Sequence, residues 1–151
     1  MQRRVIGCAL LTVAVLAAGC ATYGPAGEAG SGSTVPLEGT QWRLTELGGR
    51  PARPAGDDAP NLRLTAADKR AGGNTGCNSF GGEYTLSGES LRFGMMASTR
   101  RACTDEALNA QEGAYLSALG NVRTWRITGN SLELHGESGV VARFVAQPAA
   151  G

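Results

Sequence analysis

Thirteen residues in the middle of the chain, Gly72-Gly-Asn-Thr-Gly-Cys-Asn-Ser-Phe-Gly-Gly-Glu-Tyr84, hold five glycines. A backbone so rich in glycine must bend sharply or pass close to another group, because glycine tolerates positive φ and carries no Cβ. The sharper uses of such a stretch each lack a required residue. A phosphate-binding P-loop needs Lys and then Ser or Thr after its last glycine, and here Cys77 and Asn78 follow Gly76. The dinucleotide-binding spacing is absent, and Glu83–Leu86 downstream reads as strand. A nucleic-acid clamp on Gly73–Gly76 has no Lys or Arg within it. The reading that remains is a tight crossing between strands, with Cys77 and Phe80 turned inward.

A chain of 151 residues supports one domain. Its 23 glycines and 5% aromatic content favour turns and short strands. The formal charge is +1, and it becomes −1 once Arg3 and Arg4 leave with a signal segment (12 basic against 13 acidic residues). Such a balance gives no footprint for nucleic acid and no polybasic patch for anionic lipid.

The amino terminus reads as an export signal over residues 1–19. Arg3 and Arg4 form its basic start, and the apolar run Val5–Ala18 is 14 residues long, too short to span a bilayer. It ends Leu16-Ala-Ala-Gly-Cys20, small residues before a cysteine, so Cys20 is the expected lipidation site. Leu16 stands one step further from Cys20 than the usual lipobox leucine. A diacylglyceryl cysteine gives a durable anchor, since two acyl chains hold where one does not. Ala21, where Asp would favour inner-membrane retention, points to the outer membrane, facing the periplasm. Residues 20–36, rich in Gly, Ala, Ser, Thr and Pro, form a flexible tether. Its root-mean-square reach is roughly 20 Å.

Residues 37–147 carry the domain. Trp42 and Leu44 alternate with Arg43 and Thr45, as in a half-buried strand, and Asn61–Thr65 alternates likewise. Arg50–Pro60 reads as a loop, with Asp57-Asp58 a solvated turn rather than a cation site. Ser87-Gly88-Glu89 tips a hairpin whose inward residues are Tyr84, Leu86, Leu91 and Phe93, and Met95 and Met96 read as core filler. A helix should follow, capped by Thr104 and stopped by Gly120, burying Ala107, Leu108, Tyr115, Leu116 and Leu119 and turning Asn109, Gln111 and Glu112 away. Three strands in a meander, Val122–Thr128, Ser131–His135 and Val140–Ala146, complete the domain.

Of four cysteines, Cys8 leaves with the signal and Cys20 is acylated, which leaves Cys77 and Cys103 as a pair in an oxidising compartment. A bridge between them would stabilise the fold by roughly 3–4 kcal/mol. Competing readings are reversible thiols, or two metal ligands that would still need two further donors. His135 is the single histidine and reads as solvent-facing at a strand end. No nucleophile elbow accompanies it, so neither an enzyme nor a cofactor is expected.

Gly76-Cys77-Asn78, Phe80, Gly82 and Tyr84, followed by Ala97, Thr99, Ala102 and Cys103, resemble the signature of the META domain, which includes HslJ-type heat-shock lipoproteins. The likeness runs from Leu37–Trp42 to Val140–Val145, with Arg101 standing where an apolar residue is usual. The resemblance implies an α+β fold: a curved antiparallel sheet or partly open barrel of about seven or eight strands with one packed helix. It makes Glu112 a helix-to-loop hydrogen-bond partner. It further implies a non-enzymatic envelope lipoprotein, serving envelope integrity or stress tolerance by holding a protein or lipid partner in a sheet cleft. The competing functions are a structural spacer without ligand and a small hydrolase.

Overall fold

The computed structural model describes residues 34–54, 59–101, 103 and 105–148. Cys20, most of the tether, Asp57-Asp58 and Thr104 lie outside the described residues. Ten strands and one helix follow in the order β1 (Gln41–Leu47), β2 (Arg50–Pro51), β3 (Asn61–Thr65), β4 (Arg70–Asn74), β5 (Ser79–Ser87), β6 (Ser90–Phe93), β7 (Ala97–Ser98), α1 (Glu106–Gly120), β8 (Thr124–Thr128), β9 (Ser131–Gly136) and β10 (Gly139–Ala146).

All pairings are antiparallel, and eight strands run in a ring: β1-β3-β4-β5-β6-β8-β9-β10, with β10 returning to β1. The fold is the α+β class that alternation and the family resemblance imply. Two short strands lie off the ring, β2 on β1 and β7 on β5. Alternation decides which side chains fill the interior: Trp42 and Leu44 from β1, Leu62 and Leu64 from β3, Leu132 and Leu134 from β9, Ala142 and Phe144 from β10. Each fully buried leucine contributes about 1.5–3 kcal/mol. A bulge between Leu44 and Glu46 resets the phase of β1, so that Leu47 again shares the face of its partner Ala142.

The glycine-rich stretch is more regular than a crossing. It forms β4 and the start of β5, joined by a turn at Thr75–Asn78. The glycines permit close approach: a Cβ on Gly73 would sit 2.1 Å from the Asn61 carbonyl oxygen, and one on Gly82 2.5 Å from that of Met95. Phe80 is buried as expected, but Cys77 is only half-buried and Asn78 takes the interior position. Beyond Phe93 the chain bulges opposite Gly82 and rejoins β5 as β7. That bulge throws Met95 outward, 93% exposed, while Met96 packs on the core. The two methionines are thus not equivalent filler.

Helix α1 lays Tyr115 and Leu119 into the ring. The Tyr115 ring meets Phe80 edge-on at 5.5 Å and Phe144 at 6.2 Å. Its hydroxyl donates to the Asn61 carbonyl at 3.1 Å, so its burial leaves no polar atom stranded. Asp105 caps the helix by accepting from the Ala107 N–H, one residue later than the expected Thr104. Gly120 is the last helical residue and Asn121 the cap, its N–H bonded back to Ala118 and Leu119. Of the expected apolar face only Tyr115 and Leu119 are buried; Leu108 and Leu116 are half-buried and Ala107 is exposed.

The ring is thinnest between β6 and β8. One residue pair, Ser90 with Thr124, spans the two strands. Backbone bonds from Leu91 to Arg123 and from Trp125 to Glu89 flank it. Trp125 and Ile127 of β8 sit opposite the buried Leu134 and Leu132, yet both stay half-buried because this seam leaves one side uncovered.

Candidate functional site

At one end of the ring the signature residues converge. Gly76, at φ +103°, carries the turn into β5, and its N–H donates to Asn74 Oδ1 at 2.6 Å. That turn drives Asn78 beneath the strap formed by Ala97–Arg101. Asn78 Oδ1 accepts from Thr99 Oγ1 at 2.9 Å and from the Arg101 N–H at 2.8 Å. Its Nδ2 donates to Glu112 Oε2 at 2.8 Å and to the Arg101 carbonyl at 3.1 Å. All four hydrogen-bonding positions of a buried amide are therefore filled.

Glu112 closes the network from the helix, accepting also from Thr75 Oγ1 at 3.0 Å and, more loosely, from Ser98 Oγ at 3.4 Å. The expectation of a helix-to-loop hydrogen-bond partner describes it, although its side chain turns toward the barrel rather than away. Cys77 and Cys103 are bonded to each other across this latch, with Cα atoms 5.8 Å apart and a sequence separation of 26. Their sulfurs and the Glu112 carboxylate lie within 4.8 Å. The disulfide uses both thiols, so this trio does not present a ligand set for a metal in the oxidised chain.

Tyr84, another signature residue, works at the opposite end. Its buried hydroxyl donates to Glu38, and Lys69 Nζ stands 2.7 Å from the same carboxylate. The ammonium also lies 5.6 Å from the Tyr84 ring centroid. The bonds from Lys69 and Tyr84 hold the Glu38 carboxyl below its usual range, while burial and the bond to Glu38 push the Tyr84 phenol upward. Lys69 has φ +52°, the turn conformation that aims it back at Glu38. This cluster pins the residues just ahead of β1, and the Trp42 indole N–H bonded to the Leu37 carbonyl at 2.9 Å pins them again.

His135 is half-buried on the barrel's outer wall, not fully solvent-facing as expected. Its Nε2 lies 3.3 Å from Glu133, which pairs with Arg143 at 3.0 Å; Arg143 also pairs with Glu46. Glu46, Arg143 and Glu133 alternate in charge across three strands and account for a ladder on this wall, with His135 beside it.

A cavity of about 830 Å³ runs along the other side of α1. Ala110, Ala114 and Ala118 of the helix face Leu47, Val140 and Val141 across it. Arg50 and Arg53 stand at its rim. The Gln111 side chain fixes the rim by accepting from the Arg53 N–H at 2.7 Å and donating to its carbonyl at 2.8 Å. The contact joins residues 58 apart, so neither residue announced it in the sequence.

An antiparallel ring of eight strands with one helix packed on it, stapled by one disulfide beside an Asn78–Glu112 latch, defines a small α+β domain with a trough along its helix. The chain belongs to the META domain family, whose model matches residues 35–149. Similar solved structures include an NMR structure of a protein from Burkholderia xenovorans, 29% identical over 74% of this chain and 83% of that one, with TM-score 0.61. A second NMR structure is 23% identical, covers 72% of this chain and 91% of the other, and has TM-score 0.59. A crystal structure of a DUF4847 family protein from Bacteroides vulgatus shares the fold at 16% identity, covering 72% and 93%, with TM-score 0.52. No curated protein matches the sequence.

Proposed function

We propose that this META-domain chain is a non-enzymatic lipoprotein of the bacterial envelope. It is exported by residues 1–19, acylated at Cys20, and held on the periplasmic side of the outer membrane by the tether 20–36. Its work is to hold a partner in the trough beside α1, in support of envelope integrity or stress tolerance. The observation that carries this reading is the placement of the trough. The described chain reaches the ring at Val35–Leu37, at the Gln41 end of β1, whereas the trough opens at the Leu47 end. Seven strand residues separate those ends, about 20 Å of rise. The trough thus opens about one strand's length from the point where the described chain enters the ring.

Two measurements test the reading. Radiolabelled palmitate should enter the wild-type chain in a bacterial host and not the Cys20→Ala variant. A photocrosslinking amino acid at position 114 should capture a discrete envelope component, absent when the probe sits at exposed Arg92. Palmitate labelling with no adduct would leave a spacer; an unlabelled chain ends the lipoprotein reading.

A further inference from the structure

The trough has a chemistry of its own. Its charged lining side chains are Arg50 and Arg53, both cationic, and no acidic side chain lines it among the described residues. Among the described residues the Arg53 guanidinium pairs with Asp105, at 3.8 Å and with both groups more than half exposed. Such a pair is worth under about 1 kcal/mol and yields readily to a better-placed carboxylate. The floor is apolar, built of Leu47, Val140, Val141 and the helix alanines, while Ser117 and Asn121 offer polar groups along the same wall.

The length is also informative. Ala107 to Asn121 advances about 20 Å along the helix axis, which matches roughly six residues of extended peptide. An acyl chain has no use for polar groups spaced along its length. A peptide backbone does, and its alternate side chains can point into the alanine floor.

Resting on the reading of the trough as a docking site, we propose that its occupant is an acidic, extended segment of a soluble envelope protein. Apolar side chains of that segment enter the floor, and its carboxylates pair with Arg50 and Arg53. Arginine suits this role because its planar fork binds carboxylate through two parallel hydrogen bonds.

The test uses the full chain, processed in a bacterial host and reconstituted in phosphatidylcholine nanodiscs. The probe is a fluorescein-labelled octapeptide of alternating leucine and aspartate, followed by anisotropy, beside a leucine–lysine counterpart. The aspartate peptide should bind at least tenfold more tightly than the lysine one. The double variant Arg50→Glu, Arg53→Glu should reverse that order, an outcome that mere unfolding would not produce. Ala114→Trp, which fills the floor, should weaken the aspartate peptide tenfold with the helical circular dichroism unchanged. Equal affinity for both peptides, or no reversal in the double variant, overturns the proposal. So does binding of oleate or phosphatidylglycerol vesicles at this site without the peptide. Palmitate labelling of Cys20 is read separately, so failure here is distinguishable from failure of the lipoprotein reading.

Discussion

Two regions around helix α1 meet the ring on opposite terms. Midway along the helix, Glu112 enters a latch in which the buried Asn78 amide is fully bonded and beside which a disulfide closes. Past its end, the chain turns into β8 along a seam held by one residue pair and two flanking backbone bonds. Both regions join segments distant in sequence, but only the latch does so with groups removed from water. The difference teaches where stability is concentrated: a buried polar network costs most when one member is deleted, while a thin exposed seam has little to lose.

The largest effect should come from Cys77→Ala with Cys103→Ala. Chain-entropy reasoning puts the loss at roughly 3–4 kcal/mol, read as a lower urea midpoint with a larger m-value, because the denatured chain without its crosslink is more expanded. Asn78→Ala comes next, at about 3 kcal/mol, because Glu112 and the Arg101 backbone lose their partner inside the fold. If the disulfide merely substitutes for the latch, the triple variant will cost no more than the double, which a thermodynamic cycle reads directly.

Acid should act at the other end of the ring. Glu38 is held below its usual range by Lys69 and Tyr84, and Glu133 by Arg143. A depressed carboxylate contributes stability above its unfolded pKa, and that contribution is lost as pH falls through the lower folded value. Stability should therefore drop on acidification below about pH 4.5, and Glu38→Gln should flatten that limb in urea titrations at stepped pH. Smallest of all is Trp125→Phe at the seam, which removes the indole bond to the Gly88 carbonyl at 3.0 Å. We expect about 0.5–1.5 kcal/mol. A loss above that of Asn78→Ala would reverse the ranking of the two regions.

Much of this fold can be read from alternation alone. Trp42 and Leu44, Leu62 and Leu64, and the closing meander show period two because each strand has one wet face. Strand β4 offers no such pattern: Ala71-Gly-Gly-Asn74 has almost no side chains to alternate, and its pairing comes from neighbours on both sides. Asn78 lies two residues before Phe80 and in phase with it, so simple alternation turns Asn78 inward and leaves Cys77 on the other face. The N-cap moved by one residue for a similar local reason, since Asp105 can accept from Ala107 as well as a threonine could. The latch was partly legible through the family resemblance, which singled out Asn78, Thr99 and Glu112. The trough was not, because its rim depends on Arg53 meeting Gln111, and nothing local in either residue specifies that meeting.

Closure of the ring by β10 against β1 sets a condition on timing. Trp42 pairs with Ala146, so the first strand finds its full set of partners only once β10, about a hundred residues later, exists. Contacts this far apart in sequence form late and slowly. A nascent chain of this design cannot close its ring until β10 has emerged to lie against β1.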